Sequence, residues 1–308
     1  MANRARLRIG TRGSPLARAQ AEFVRTRIAA VNGLERAAVE IVVIRTTGDK
    51  VRDRPLADLG GKGLFTKELE EALVAGSIDL AVHSAKDVPT FLPAGLRLAA
   101  YPEREDPRDA FVGGNSLAKI APGAIIGTAS VRREALVRRL RPDIEVKLLR
   151  GNIHTRLEKV ANGTFHGTVL ALAGLKRLGL EAEARELLDP ASFPPSVGQG
   201  AIAVEIREGD AATAALVAAI DDPGVSVALA AERAFLAELE GSCRAPIAGH
   251  ARIDGGRLHF YGLLISPDGR ESVETTRDGI VADAASLGAD AGRELKSRAS
   301  AALLAALA

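Results

Sequence analysis

Three short segments combine arginine with hydroxyl side chains where a strand pattern gives way to a helix pattern. They are "TRGS", "GTASVRR" and "LRGNIHTR", at residues 11–14, 127–133 and 149–156. In a parallel α/β sheet such junctions lie at the carboxyl edge, where helix N-termini add unpaired N–H groups. Arginine forks bind carboxylate and phosphate in bidentate pairs. The segments therefore predict an anion-binding edge. Along the predicted helix that follows "GTASVRR", solvated surface is the ordinary interpretation for Arg138, Arg139 and Arg141.

A fourth segment, "AVHSAKDVP" at residues 81–89, ends a predicted strand with Ser84, Lys86 and Asp87. A carboxylate beside a lysine at a strand's end can handle protons or stabilise a cation that forms during a reaction. Aspartate is also a common turn former, so the residues alone leave both interpretations open. His83 is interpreted as a packing residue.

The only cysteine, Cys243, lies in "EGSCRAP" at residues 240–246. A single cysteine excludes an internal disulfide framework and a multi-cysteine metal site, and we expect no metal. The thiol follows the C-terminal end of a predicted helix, where the helix dipole disfavours a poised thiolate nucleophile. A packing role is the ordinary alternative, although the Gly-Ser and Pro neighbours favour an exposed loop.

The elements that must position these residues alternate between strand and helix patterns, which is typical of an α/β fold with mostly parallel strands. Ser14 and Pro15 suit the start of the first helix, and Gly76 suits the end of the second. From about residue 221 the pattern changes to a long helix, alternating strands and an Ala-rich helix, which indicates a small α+β domain. The glycine-rich, charged segment 47–63 predicts a mobile lid, with a solvated loop that has no function as the alternative.

Composition limits the classes of partner. The chain has 308 residues, with 41 basic against 39 acidic side chains and a net charge of +2, so no global field favours nucleic acid or membrane. The apolar runs are shorter than the roughly 18 residues of a membrane span, and "MANRARLRIG" lacks the apolar core of a secretory signal. We therefore expect a cytoplasmic protein with neither nucleic acid nor membrane as partner.

Nine segments together resemble the hydroxymethylbilane synthase family, also called the porphobilinogen deaminase family. In chain order from residue 7 to about 265, they are "TRGSPLA", "GGKGLF", "AVHSAKDVP", "EREDPRDAFV", "GTASVRR", "LRGNIHTRL", "AGLKRLGL", "VGQGA" and "EGSCRAPI". The resemblance implies a monomeric transferase of tetrapyrrole and heme synthesis. Such an enzyme joins four porphobilinogen molecules head to tail on a covalent dipyrromethane primer, releases ammonia and yields hydroxymethylbilane. The resemblance also makes uroporphyrinogen III synthase a candidate to receive the product.

The resemblance implies two α/β lobes like those of periplasmic binding proteins, with mostly parallel sheets, plus a small α+β C-terminal domain. By this likeness domain 1 comprises residues 1–101 and 198–220, domain 2 comprises 102–197 and domain 3 comprises 221–308. The strand pattern "AIAVEI" at residues 201–206 then returns to the first lobe. Periodicity alone does not decide which lobe this strand joins.

The resemblance also assigns roles to individual residues. Asp87 is the catalytic residue, and Cys243 carries the primer through a thioether. The other residues expected to contact the primer are Ser84, Lys86, Asp87, Thr128, Ser130, Arg132, Arg133, Arg150, Arg156 and Gln199. Those expected to contact the substrate are Arg12, Ser14, Gln20, Arg150, Arg156 and Arg177.

Two other classes of protein could use the same cations. A non-catalytic bilobal anion-binding protein would explain the arginines at the strand ends, but it gives Cys243 and Asp87 no role and normally needs export. A phosphate or nucleic-acid binder would use the cations between residues 130 and 160. With 3% aromatic residues and no tryptophan, the chain has little to stack on bases.

Overall fold

The computed structural model describes residues 6–50, 63–114, 116–239, 245–305 and 307. The strands are β1 Leu7–Arg12, β2 Val39–Ile44, β3 Leu80–Ser84, β4 Leu96–Ala100, β5 Asp109–Val112, β6 Ile125–Thr128, β7 Glu145–Leu148, β8 Gly167–Ala171, β9 Glu186–Leu187, β10 Ile202–Arg207, β11 Ile247–Asp254, β12 Arg257–Ile265 and β13 Ser272–Ile280. The helices are α1 Pro15–Val31, α2 Thr47–Lys50, α3 Lys67–Val74, α4 Val131–Leu140, α5 Ile153–Ala161, α6 Leu172–Arg177, α7 Ala211–Ala218, α8 Pro223–Glu238, α9 Ala284–Arg298 and α10 Ala301–Ala305.

The described residues form two compact units. The first contains 6–50, 63–105 and 201–226. Its sheet has the order β2-β1-β3-β10-β4, in which β10 runs antiparallel to both of its neighbours. The parallel pairs β1–β2 and β1–β3 bring the ends of β1 and β3 to one edge. Residues of α1 and α7 form an apolar core with one face of the sheet, and α3 packs in a second cluster with Ile78 and Ala81.

The second unit contains residues 106–200 and everything described from 227 onward. Its five-stranded sheet repeats the plan of the first, with the order β7-β6-β8-β5-β9 and β5 antiparallel to both neighbours. The antiparallel strand comes before its sheet's other strands in sequence here, whereas in the first unit β10 comes after them. The ends of β6 and β8 meet at one edge because these strands are parallel.

The C-terminal part of the second unit is an antiparallel sheet, β11-β12-β13, with α8 and α9 contributing to its core. Ala248, Leu263 and Ile265 of this sheet also pack into one cluster with Phe111 and Leu136 of the five-stranded sheet and its helix. The shared core is the physical reason why residues 106–200 and 227 onward form one compact unit. The boundaries of the three predicted domains stay predictions.

Several local signals in the sequence are confirmed. Ser14 caps α1, its hydroxyl accepting the Ala17 N–H at 3.2 Å, and Pro15 is the first helical residue. Gly76 follows α3 with φ of 68°, a conformation that favours glycine. Strand β10 lies in the sheet of β1 and β3, as the family likeness implied for "AIAVEI".

The predicted fold class is confirmed: two α/β sheets with one antiparallel strand each, and a small α+β C-terminal part. Among the described residues no single helix is long and apolar enough to cross a membrane, although the bent pair Ala211–Ala218 and Pro223–Glu238 together meets the length and composition test. Within the same residues there is no cluster of three or more histidine, cysteine, aspartate or glutamate side chains that could hold a metal ion.

Candidate active site

A small cavity in the first unit lies where β1 and β3 end. It brings together side chains that are far apart in the sequence because the two strands are parallel neighbours. The predicted residues that line it are Arg12, Ser14, Gln20, Ser84 and Asp87. The structure therefore places the predicted catalytic carboxylate in the same cavity as a predicted substrate-binding cation.

Arg12 is the last residue of β1, and its guanidinium lies over the ring of Phe65, with Cζ 3.9 Å from the ring centroid. Such a cation–π contact stabilises a guanidinium and fixes its plane. Phe65 also lines the cavity. Phe65 is the last residue of "GGKGLF", one of the segments that carry the family resemblance. The sequence did not predict its contact with Arg12.

Ser84 at the end of β3 is held by Gln20 of α1. The two side chains are in hydrogen-bond contact, with Gln20 Nε2 2.9 Å and Gln20 Oε1 3.1 Å from the Ser84 Oγ. Gln20 is only 2% exposed, so its amide is fixed by this hydroxyl pairing and by packing. Lys86 and Asp87 follow in one turn of 3₁₀ helix, Ala85–Asp87, and both are partly buried.

His83 and Glu205 form a buried pair next to this cavity that the sequence did not predict. His83 Nε2 lies 3.0 Å from Glu205 Oε2, and both side chains are buried. His83 also lines the cavity. The burial of His83 agrees with its interpretation as a packing residue. Its partner could not be found from the sequence, because 122 positions separate the two residues and no sequence signal joins them.

In the second unit the ends of β6 and β7 carry the predicted hydroxyls and cations. Thr128 Oγ1 accepts the Ser130 N–H at 3.1 Å, and the Ser130 hydroxyl caps α4. After β7, Gly151 has φ of 119°, which lets the chain turn sharply between Arg150 and the Asn152 cap of α5. The same edge therefore presents two capped helix N-termini.

Arg132 and Arg133 have internal partners that the sequence did not predict. Both are buried, and both bind the fully buried carboxylate of Asp109. Arg132 also donates to the Pro194 carbonyl at 2.6 Å, and Arg133 to the Val169 carbonyl at 3.0 Å. Burial lowers the pKa of Arg132, while the charge of Asp109 opposes that shift. The structure shows these internal partners of the two guanidiniums. Direct contact of Arg132 and Arg133 with the primer stays a prediction.

Gln199 belongs to the same buried cluster. Its Nε2 donates to the Pro107 carbonyl at 2.7 Å and to Asp109 Oδ1 at 2.9 Å. The residue is 0% exposed. Its contact with the primer also stays a prediction. Through these two hydrogen bonds Gln199 connects the "VGQG" segment to the start of β5.

The remaining predicted cations are less buried than this cluster. Arg156 Nε donates to the Gly151 carbonyl at 2.9 Å, and Arg177 Nη2 donates to the Gly200 carbonyl at 2.7 Å. Arg150, between β7 and α5, is partly buried. Arg156 lies in the first turns of α5, on the edge that also carries Thr128 and Ser130.

Cys243 lies outside the described residues, as does most of the predicted lid segment 47–63. The described donor set can still be compared with the chemistry of a dipyrromethane, whose pyrrole rings carry carboxylate side chains. Arginines, hydroxyls and capped helix N-termini at strand ends are suited to carboxylates. The Arg132 Nε is a buried donor with no partner among the described residues. The residues present therefore fit such a group.

Fold and site together define an α/β protein whose strand ends suit a ligand with several carboxylates, beside one candidate catalytic carboxylate. The sequence family model of the porphobilinogen deaminase dipyrromethane cofactor binding domain matches residues 7–215 of this chain. The family model of the porphobilinogen deaminase C-terminal domain matches residues 227–297. Relatives named porphobilinogen deaminase from Nitrobacter hamburgensis and Nitrobacter winogradskyi are each 58% identical over 293 residues, which covers 94% of this chain and 93% of each relative. The chain belongs to the porphobilinogen deaminase family.

The solved structures that the chain matches share little sequence with it. The Bordetella pertussis BvgS VFT2 domain is 16% identical, with a TM-score of 0.41 over 71% of this chain and 88% of that domain. A periplasmic substrate-binding protein of an ABC transporter from Coxiella burnetii is 14% identical, with a TM-score of 0.42 over 70% of this chain and 92% of that protein.

Proposed function

We propose that this chain polymerises porphobilinogen: it joins four molecules head to tail on a covalent dipyrromethane primer, releases ammonia and yields the linear tetrapyrrole hydroxymethylbilane. The observation that carries the mechanism is the cavity that Asp87 shares with Arg12, Ser14 and Ser84. A carboxylate in contact with a substrate held by cations is what this reaction needs, because positive charge forms on the pyrrole during the reaction.

The cations hold the substrate. Every pyrrole ring of the substrate carries an acetate and a propionate, and arginine binds such groups through parallel N–H donors. Arg12, on its Phe65 platform, lines the same cavity as Asp87. Arg150, Arg156 and Arg177 serve the same purpose in the second unit. The net charge of only +2 agrees with cations concentrated at sites rather than spread over the surface.

Asp87 stabilises charge and handles protons. Loss of ammonia from porphobilinogen leaves an electrophilic azafulvene whose positive charge is shared by the pyrrole nitrogen. The Asp87 carboxylate accepts hydrogen bonds from pyrrole N–H groups and lowers the energy of that cation. Lys86, its neighbour in the 3₁₀ turn, binds a carboxylate of the primer.

The bound primer supplies the nucleophilic carbon to which the first porphobilinogen is joined. Cys243 holds it through a thioether, which is formed once and kept, so the thiol needs no activation at each cycle. Thr128, Ser130 and the nearby N–H groups of α4 donate hydrogen bonds to its carboxylates. Ser84, whose hydroxyl is held by Gln20, is a further residue proposed to contact the primer.

We also propose the cellular setting. The enzyme is a cytoplasmic monomer that binds neither nucleic acid nor membrane, and its product is handed on to uroporphyrinogen III synthase. A non-catalytic anion-binding protein is not favoured, because it gives no use to the Asp87 cavity and does not agree with the family of the chain.

The test is product stoichiometry. Purified protein is incubated with porphobilinogen, and ammonia and hydroxymethylbilane are measured over time. The proposal expects the ratio of ammonia to tetrapyrrole that four condensations require. Porphobilinogen that is bound but not consumed would instead identify a binding protein.

A further inference from the structure

The pair His83 and Glu205 is placed in an unusual environment. On β3 and β10 the two side chains are diagonal neighbours on one face of the sheet, since Ala203 pairs with His83 and Glu205 with Ala81. That face packs against Leu69 and Leu73 of α3 in an apolar cluster. Ionisable groups buried among apolar side chains reduce stability unless they are paired, so such groups are often found where a reaction needs them.

The charges around His83 can be assigned element by element. Glu205 of β10 is 0% exposed, and its Oε1 has no hydrogen-bond partner among the described residues. Glu70 of α3 is also buried. Burial raises the pKa of Glu70, and the charge of Glu205 adds to that rise. On the cavity side, His83 shares the lining with Arg12 and Asp87.

A buried carboxylate bonded to one nitrogen of an imidazole favours the imidazolium that forms when the ring takes up a proton. We propose that His83, backed by Glu205, receives the proton that each condensation releases into the cavity of Asp87. His83 lines the same cavity as Asp87, and it accepts the proton that Asp87 passes on. This inference rests on the proposed polymerisation and adds a proton acceptor to it.

The proton balance is as follows. The porphobilinogen ammonium loses ammonia with the C–N electron pair. The α-carbon of the terminal primer ring then attacks the resulting azafulvene, and the new C–C bond leaves the positive charge on the attacking ring. The α-carbon C–H bond of that ring then breaks, its electron pair restores the pyrrole, and the proton passes to Asp87 and on to His83. The imidazolium pairs with Glu205 until its proton joins the released ammonia, which departs as ammonium.

The decisive variant is Glu205→Gln, which keeps the size of the side chain and a hydrogen-bond acceptor but removes the charge. We expect primer attachment to remain and the condensation rate to fall by about tenfold or more. With porphobilinogen deuterated at the free α-carbon, a primary isotope effect on the rate should become larger than in the unmodified enzyme. His83→Gln should behave in the same way. Glu71→Gln is the matched control, because Glu71 follows Glu70 in α3 but is exposed. It should change neither the condensation rate nor the isotope effect.

A structural role would slow the reaction without changing the isotope effect, and that result would overturn the proposal. A second measurement needs no variant: the ¹⁵N NMR shifts of His83 in the resting enzyme. A resting ring that carries a proton on one nitrogen can accept another, whereas a ring protonated on both nitrogens would contradict the proposal. If the unmodified enzyme released no ammonia, the proposed function itself would fail, so the two failures are distinguishable.

Discussion

Arg133 donates through both Nε and Nη2 to a single oxygen of Asp109, at 3.1 and 2.7 Å. The second oxygen of the same carboxylate accepts from Arg132 at 2.6 Å. One buried anion therefore orients two adjacent guanidiniums at the start of α4. Arg132 and Arg133, which the family resemblance predicts to contact the primer, form a buried structural cluster with Asp109.

Replacing Asp109 with asparagine should destabilise the protein by about 3–5 kcal/mol, because two buried guanidiniums lose their counter-charge. The measurement is urea unfolding followed by circular dichroism. Asp143→Asn is the control: it also removes a carboxylate from an arginine pair, but the pair with Arg141 lies at the surface. We expect no measurable change there. Equal stability of the two variants would contradict the buried-cluster interpretation.

Asp87→Asn should leave the primer attached and nearly abolish turnover. The amide cannot supply the negative charge that the pyrrole cation requires, and general acid–base groups contribute about 100-fold or more. Intact mass reports the primer, and ammonia release reports turnover. Asp254→Asn, an exposed carboxylate on β11, should retain normal activity. Near-normal turnover of Asp87→Asn would remove this residue from the mechanism.

Arg156→Gln should raise the KM for porphobilinogen by about tenfold, since a charge-assisted hydrogen bond to a carboxylate contributes roughly this much. The comparison is Arg138→Gln on α4, where the arginine is exposed and pairs with Glu134 at 2.7 Å. Steady-state kinetics of both variants decide the matter. A KM that is unchanged in Arg156→Gln, or equally raised in Arg138→Gln, argues against a binding role.

Glu294 of α9 should make stability depend on pH in acid. Hydrogen bonds from Thr275, Arg277 and Arg298 lower its pKa from 4.5 to about 2. A carboxylate whose folded pKa is lowered contributes stability above its unfolded pKa, and that contribution is lost as the pH falls from about 4.5 toward about 2. Glu294→Gln should show a smaller loss of unfolding free energy across this range than Glu271→Gln, an exposed control. Identical acid sensitivity would contradict the assignment.

Local elements could be predicted because their signals are local. The Ser14–Pro15 start of α1 and the Gly76 end of α3 depend on neighbouring residues and were found where the sequence placed them. The position of β10 between β3 and β4 depends on contacts between distant segments. Periodicity does not encode it, and only the family likeness placed this strand in the first sheet.

The site was predicted in its residue types but not in its internal partners. Arg12, Ser84 and Asp87 were expected at strand ends, and the parallel sheet brings them to one cavity. Asp109 was not expected to bind Arg132 and Arg133, and Glu205 was not expected to bind His83. Each of these carboxylates is fully buried, and a buried carboxylate in a strand looks like any other strand residue until its partner is placed beside it.

The central claim is that the chain carries its primer on Cys243, and the intact mass of the purified protein tests it most directly. We expect a mass that exceeds that of the sequence by one dipyrromethane, and the unmodified mass in Cys243→Ser. An unmodified mass in the unaltered protein, with a thiol that titrates freely, would contradict the account.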